Sequence, residues 1–561
     1  MTALLTALHL AWTALAAVVI TRRTRNPASA GVWLLLVFAL PVAGTLLYVL
    51  AGWHDTRTAA CAAPAGTRHP LAALIGCGCG TRTAPHNRID PLHNGSNAFA
   101  ALIASLQRAT RSIHMEYYIF RNDRIGRTIA AILMRKARAG VEVRVIYDAV
   151  GSWRLGRRLR RDLRSAGVEI RPYAPIRFPW FTPRTNRRNH RKIVVTDGRT
   201  AYLGGINIAK YYLDGDGMGK WRDEHLRIEG DAVADLQRLF LADWARSGGP
   251  RLDPAHYVAP HRIADMRPMQ IAWAEEGPSR TTLADAFASV IHRAHRTIRL
   301  SSPYFMPPPC ILDALRIASR RGVRVAVMIP TCSDSRITDL ASESYAADLL
   351  EAGAELYRYD NGFLHAKLLV ADDTVASVGT ANMDYRSLQD NLEVTAFVYD
   401  RATAASLAAT FDRDLEHCVR IRPDTWRRTP LRRSASDLLG LLSELLGGTG
   451  PKNDAPQTAG GRHPPHRGHA TTWMQHDHMP RRTAPQRPSD RHRDNTTTLP
   501  AHGGAARRRR CRTTSRTTWR RSSQPSCCAA APRPARSASA CVRASAQSIT
   551  GSIRHASTAC G

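Results

Sequence analysis

Two stretches of the chain, NHRKIVVTDGRTAYLGGINI (189–208) and LHAKLLVADDTVASVGTANM (364–383), read as two copies of one supersecondary unit. Each holds the pattern His-x-Lys-x4-Asp, as His190, Lys192 and Asp197 and again as His365, Lys367 and Asp372. Each then reaches a Gly and an Asn, Gly204 and Asn207 in one and Gly379 and Asn382 in the other, so either Asn lies 17 residues after its His. In extended backbone, residues i and i+2 share a face, which points each His and its Lys the same way.

The repeat extends outward from these motifs. RSIHMEYYIF (111–120) parallels RTIRLSSPYF (296–305), and GVEVRVIYD (140–148) parallels GVRVAVMIP (322–330). AFAALIASLQRA (98–109) and TLADAFASVIHRA (282–294) open the two halves with apolar residues at helical spacing. Helical stretches alternating with short apolar strands predict sheets covered on both faces. The expected class is α/β: two pseudo-twofold related α-β-α sandwich domains with mixed, largely parallel sheets, and a site where they meet. Composition divides the chain into a membrane anchor (1–53), a linker (54–92), a first domain (93–247) and a second (248–425). An amphipathic helix (426–446) follows, with Leu438, Leu441, Leu442 and Leu445 on one face. Residues 447–561 are rich in Arg, Pro, Ser and Thr without apolar period, the composition of a disordered tail.

Residues 2–20 are apolar apart from His9, and residues 31–53 carry no charge. Both runs approach the roughly 20 residues that a helix needs to cross a bilayer core. No basic segment precedes the first run and the second follows at once, so two membrane helices are expected rather than a cleaved signal peptide. Arg22, Arg23 and Arg25 in the connector place it on the cytoplasmic side, with both termini on the outer face.

The formal charge of the 561 residues is +33, of which +16 falls in residues 451–561 (20 Lys and Arg against 4 Asp), leaving +17 for residues 1–450. A basic balance suits an anionic partner, either lipid surface or nucleic acid. Composition alone does not choose between them, but two apolar spans suit a membrane, and with the modest basicity outside the tail they argue against a specific nucleic-acid partner. Five of the eleven cysteines lie in the tail, and Cys77 and Cys79 stand closer together than metal ligands usually do, so no metal is expected.

One imidazole from each half, converging at the interface, supplies a nucleophile and a general acid across a phosphodiester. Lys192, Lys367, Asn207 and Asn382 supply donors for the non-bridging oxygens, whose charge must be stabilised as phosphorus becomes five-coordinate. Ammonium groups then neutralise what a metal otherwise would, and no cofactor is called for. An isolated His in an apolar strand is usually a satisfied core residue. Two matched constellations in an internal repeat leave that reading little room.

At these residues, over roughly 93–425, the chain resembles the phospholipase D superfamily. The resemblance implies that His190 is the nucleophile and that His365 protonates the leaving alcohol. It implies that Asp197 and Asp372 brace the motifs, and that Asp223 in WRDEH (221–225) and Glu393 in NLE (391–393) each orient the imidazole of the opposite half. RNPASAGVWLLLVFALPVAGTLLYVLAG (25–52), IHMEYYIFRNDRIGR (113–127) and GTANMDYRSLQDNLE (379–393) resemble bacterial cardiolipin synthases. That implies a multi-pass protein of the bacterial cell membrane, moving a phosphatidyl group from one phosphatidylglycerol to another through phosphohistidine, with release of glycerol. A hydrolytic phospholipase D or another phosphatidyltransferase would use the same residues; a phosphodiester nuclease fits less well. The loop 176–191 carries Phe178, Trp180 and Phe181 with Arg184, Arg187, Arg188 and Arg191. It reads equally as an interfacial, headgroup-holding loop or as a packed lid with a solvated basic rim.

Overall fold

The structure, a computed structural model, describes residues 1–23, 27–49, 69–176, 187–259, 263–275, 279–423 and 434–440. The first half of the repeat supplies β1 (Asn87–His93), β2 (Ser112–Tyr117), β3 (Glu142–Asp148), β4 (Glu169–Tyr173), β5 (Lys192–Thr196), β6 (Thr200–Gly204), β7 (Trp221–Arg222) and β8 (Glu224–Gly230). The second supplies β9 (Met269–Ala274), β10 (Thr297–Ser301), β11 (Phe305–Met306), β12 (Arg324–Pro330), β13 (Glu355–Tyr359), β14 (Phe363–Leu364), β15 (Leu368–Ala371), β16 (Val375–Gly379), β17 (Met383–Asp384), β18 (Glu393–Val398) and β19 (Cys418–Ile421).

The first sheet has the order β1-β8-β6-β5-β2-β3-β4 and the second β19-β13-β12-β10-β15-β16-β18-β9. The expectation of largely parallel sheets is corrected here. In these two sheets only β2-β3-β4 and β10-β12-β13 run parallel, and every other pair is antiparallel. The reason lies in the motifs themselves. Each is one arm of a hairpin, β5–β6 or β15–β16, and a tight turn can join only antiparallel strands. The central strands β2 and β3 are buried along almost their whole length, which is why they read as apolar runs without alternation.

The helices in chain order are α1 (Thr2–Arg23), α2 (Pro27–Ala39), α3 (Pro41–Leu47), α4 (Pro70–Cys79), α5 (Asn94–Arg108), α6 (Arg124–Arg138), α7 (Arg157–Ser165), α8 (Tyr211–Asp214), α9 (Val233–Arg246), α10 (Pro254–Tyr257), α11 (Thr282–Arg293), α12 (Pro309–Arg320), α13 (Arg336–Glu351) and α14 (Arg401–Asp414). The paired openings of the two halves are α5 and α11. They bury Ala98, Phe99, Leu102 and Leu106, and Leu283, Phe287, Val290 and Ile291. Such i, i+3, i+4 stripes exist to be covered by a sheet.

Three stretches depart from the expected organisation. Residues read as part of a linker form α4, whose Leu71, Ala72 and Ile75 are buried, and Gln270 Nε2 on β9 donates to Ala72 O at 3.2 Å. Ten residues are too few to display an apolar period, which hid this helix. The second apolar run breaks at Leu40, because Pro41 cannot extend α2 and instead starts α3. Among the described residues one helix, Thr2–Arg22, is long and apolar enough to cross a membrane. Trp12 Nε1 donates to Thr45 Oγ1 at 3.0 Å, so α1 and α3 pack together. Within 426–446 only residues 434–440 are described; they are helical, Leu438 is exposed, and Tyr345 donates to Gly440 O at 3.1 Å. The tail 447–561 and the aromatics Phe178, Trp180 and Phe181, with Arg184, lie outside the described residues.

Candidate active site

The two motifs are brought together by strands that pair across the lobes. Asn189 bridges Leu392, with His190 N donating to Leu392 O at 2.9 Å and Leu392 N to Arg188 O at 3.0 Å. In the other direction β14 pairs with β7, placing Phe363 against Trp221, and His365 N donates to Arg222 O at 2.7 Å. Each pairing ends one residue short of a carboxylate: Glu393 after Leu392, and Asp223 after Arg222. Local strand register thus delivers each carboxylate to the histidine of the other lobe.

His190 Nδ1 lies 2.9 and 3.0 Å from the two oxygens of Glu393, and His365 Nδ1 lies 2.6 Å from Asp223 Oδ2. A carboxylate on Nδ1 fixes a proton there, so Nε2 faces the site, with its lone pair in a neutral imidazole and with a second proton in an imidazolium. All four side chains are buried, where such charged hydrogen bonds are strong. Burial pushes Asp223 up to about 6, partly countered by the ammonium of Lys367. His225, in the same WRDEH run, is buried and pushed down to about 4, so it stays neutral and is a core histidine.

Lys192 and Lys367 are buried within the site, each donating to the carbonyl of the histidine two residues before it. Lys367 Nζ also lies 2.9 Å from His365 Nδ1. Asp197 and Asp372 stand apart from the imidazoles. Asp197 accepts from the amides of Thr110, Arg111 and Ser112, and Asp372 from those of His295, Arg296 and Thr297. Both sit at positive φ, 55° and 52°, a conformation Asp tolerates better than most residues. Burial would raise Asp372, but the three amides outweigh it and hold its carboxyl below the ordinary value. These two aspartates tie the hairpin turns to the starts of β2 and β10.

Asn207 and Asn382 reach the site already engaged. Asn207 accepts from Ile119 N at 3.1 Å and donates to Tyr212 Oη at 3.3 Å; Asn382 Nδ2 donates to Asp384 at 3.2 Å, while its Oδ1 is buried with no partner among the described residues. The arginines of the loop before the first motif are corrected. Arg187 and Arg188 are buried and Arg191 is fully buried. Arg188 donates to Asp148 at 2.8 Å, and Arg191 is clamped by Asp243 and Glu275. Arg188 and Arg191 are thus engaged by carboxylates of the protein itself. Burial pushes the thiol of Cys79 up to about 12.

Several residues of the site carried no signal in the repeat, because they differ between its halves. Thr380 donates to Glu393 Oε2 at 2.5 Å, and the matching position in the first half is Gly205. There the space is taken by Asp223 itself: a Cβ on Gly205 would stand 2.1 Å from Asp223 Oδ1. Tyr212 Oη lies 3.2 Å from His365 Nδ1, and its counterpart is Ser387. Tyr118 packs edge-on against His190 at 4.9 Å, and Trp221 lies 5.1 Å from the His365 ring. Gly205→Ala is expected to displace Asp223 and cost about 10²-fold in turnover, the scale of an ångström-sized misplacement. Assayed beside a melting curve, an alanine variant with parental turnover would show that Asp223 does not need this space.

The chain matches the family described as cardiolipin synthase, PLD-like domain, over residues 102–244 and 287–415. Residues 10–53 match the phospholipase D-nuclease N-terminal family. The cardiolipin synthase of Geobacillus kaustophilus is 38% identical over 463 residues, spanning 77% of this chain and 91% of that protein. That of Halalkalibacterium halodurans is 42% identical over 359 residues, 63% of this chain and 71% of its own length. Among solved structures, phosphatidylserine synthase from Haemophilus influenzae superposes with a TM-score of 0.53 at 14% identity, covering 67% of this chain and 100% of that one. That last likeness is one of fold alone. With the identity and coverage of its curated relatives, the chain belongs to the cardiolipin synthase family of phospholipase D-like proteins.

Proposed function

We propose that this phosphatidyltransferase joins two phosphatidylglycerol molecules into cardiolipin and glycerol, with His190 and His365 in successive roles. The observation that carries the reading is the pair of histidine–carboxylate contacts built across the lobes, beside two buried lysines. His190 Nε2 attacks phosphorus, the bond to the glycerol oxygen breaks, and His365 gives that oxygen its proton. The hydroxyl of a second phosphatidylglycerol then returns a proton to His365 and attacks phosphorus, breaking the P–N bond and freeing His190. Lys192 and Lys367 face the charge that builds on the non-bridging oxygens, with Asn207 and Asn382 as uncharged donors after exchange of their present partners. Asp197 and Asp372 act as braces only.

The substrate places the site at a membrane. Leu4, Leu5, Leu8 and Leu15 of α1 are exposed, as suits a helix surrounded by lipid, and α1 with the broken α2–α3 pair makes a two-pass anchor. The reading is tested with labelled phosphatidylglycerol in mixed micelles, separating cardiolipin from phosphatidic acid. Phosphatidic acid as the sole product would make the protein a hydrolase.

Two further results are expected. Cardiolipin formation continues in excess EDTA, because the buried lysines do the neutralising that a divalent ion does elsewhere. Loss in EDTA with rescue by a divalent ion would overturn this. Turnover also falls as pH drops through about 6, where Asp223 takes up a proton and no longer supports an imidazolium on His365. The linkage runs the other way for stability. A carboxyl raised above its unfolded value stabilises the fold while protonated, and that contribution is lost as pH rises through about 6. Asp223→Asn therefore abolishes the acid limb and lowers turnover, while melting temperature loses its downward step across that pH; a limb unchanged in the variant would assign it to another group.

A further inference from the structure

The loop after β3 and the helix α7 carry six arginines, Arg154, Arg157, Arg158, Arg160, Arg161 and Arg164, against the single acid Asp162. Leu159 and Leu163 form the buried stripe of α7, which turns Arg157, Arg158 and Arg161 to solvent, while Arg164 donates to Ile170 O at 3.3 Å. Arg160 folds back onto the Tyr147 hydroxyl at 2.9 Å. No ion pair forms to Arg154, Arg157, Arg158, Arg161 or Arg164 among the described residues. Trp153 is 55% exposed at the head of this patch, with the Arg154 guanidinium 4.8 Å above its ring. Val150, whose carbonyl accepts from Trp153 N at 3.2 Å, is 37% exposed, and Ile176, three residues beyond the end of β4, is 54% exposed.

Topology puts this patch beside the site. β3 runs parallel to β2 and ends at Asp148, on the sheet edge where Tyr117 pairs with Lys192. Ser152 Oγ donates to the carbonyl of Tyr118, whose ring packs on His190, and Asp148 accepts from Asn189 N at 3.0 Å. The corresponding place in the second lobe, the loop after β12 and α13, exposes the opposite charge, Asp334, Asp348 and Glu351 against Arg336, while Asp339 is half-buried and Glu343 is buried against Arg358. Arg160 and Arg164 hydrogen-bond within the fold, but no side-chain hydrogen bond or ion pair to the protein is seen for Arg154, Arg157, Arg158 or Arg161 among the described residues.

We propose that the Trp153–Arg164 face of the first lobe docks on an anionic phospholipid bilayer and holds the catalytic mouth against it. This rests on the lipid substrate read above. Unpaired arginines gain most from a surface of phosphates, an exposed Trp beside Val150 favours the headgroup zone, and the acidic flank of the second lobe is repelled from it. The result is a lean of the first lobe toward the membrane that a tether alone does not impose.

The test uses the full chain and the quadruple variant Arg154→Gln, Arg157→Gln, Arg158→Gln, Arg161→Gln. Phosphatidylglycerol is diluted in neutral mixed micelles, and a short-chain, monomeric phosphatidylglycerol is assayed in parallel. At low salt the variant should need about five- to tenfold more phosphatidylglycerol for half-maximal rate, given the attraction of each basic residue to an anionic surface. The salt dependence of the parent should flatten, the monomeric substrate should turn over as before, and the matching Arg→Lys variant should behave as the parent. Unchanged half-saturation and salt response, or an equal loss on the monomeric substrate, would overturn the proposal. So would a loss of affinity for an oligonucleotide with none for lipid. A second measurement needs no turnover: Trp153→p-benzoylphenylalanine should photo-crosslink to lipid in phosphatidylglycerol vesicles, and an absence of crosslinks there overturns the surface even if cardiolipin is made. A parent enzyme that releases phosphatidic acid instead would sink the synthase reading while the dilution shift and crosslink still report on the surface.

Discussion

Alanine in place of His190 or His365 is expected to lower cardiolipin formation by several orders of magnitude, as for members of other catalytic units that act in one sequence. On the proposed roles neither lobe can substitute for the other, since one imidazole would hold phosphorus while the other moves the proton. A variant keeping more than about a tenth of parental turnover would contradict these roles on that scale. The two histidines can also be told apart. A nitrophenyl phosphodiester has a leaving group that needs no proton, so His365→Ala should still load His190 and then release it slowly, giving a burst and near silence. Mass spectrometry should place an acid-labile phosphodiester on the peptide containing His190. An adduct on His365 in the converse experiment would exchange the roles and keep the mechanism. No burst and no adduct in either variant would favour direct displacement by the acceptor.

The second large effect is expected from Arg191, the residue between His190 and Lys192. Its guanidinium is fully buried, contacts Asp243, and donates to Glu275 at 3.1 Å, to Ala274 O at 3.1 Å and to Glu393 O at 3.3 Å. Burial works against its charge, yet Asp243, Glu275 and Glu116 more than restore it, raising it above the ordinary arginine value. Glu116 in turn is pushed well above the carboxylate range by burial and by the charge of Asp243. Arg191→Ala leaves Asp243 short of its main partner in a dry interior. Removing one member of a buried pair costs about 3–5 kcal/mol. Denaturation should show that loss, and turnover should fall with it because Glu393 is no longer held from behind. A variant as stable as the parent would show that Arg246, which donates to Asp243 at 2.8 Å, compensates alone. The second motif has Ala366 at this position, so the demand is one-sided.

What the sequence made legible was whatever the two halves share. Equal spacing from His to Lys, Asp, Gly and Asn marked the motifs, and α5 and α11 announced themselves by their stripes. The crossing of Asp223 and Glu393 to opposite histidines followed from family resemblance, and the pairing of 221–222 with 363–364 gives its physical cause. Illegible were features that one half has alone. Thr380 faces Glu393 where Gly205 leaves room for Asp223, and Tyr212 stands where the other half has Ser387. Spacing could not reveal Arg191 either, since its partners lie on α9 and just after β9, far along the chain. Alternation of helix and strand does not reveal the direction of the outer strands, because β5–β6 and β15–β16 are hairpins, which contain no helix.

The exchange of carboxylates between lobes has a consequence for inheritance. A fragment ending between the lobes would keep His190 and Asp223, and its complement would keep His365 and Glu393. Each piece would then own an imidazole it cannot orient and a carboxylate with nothing to orient. A lone piece could regain an oriented imidazole only by pairing with a second copy, and any recombination that swaps one lobe must also preserve the partner's contact across the seam. The two halves of this duplicated fold are therefore bound to evolve as one unit.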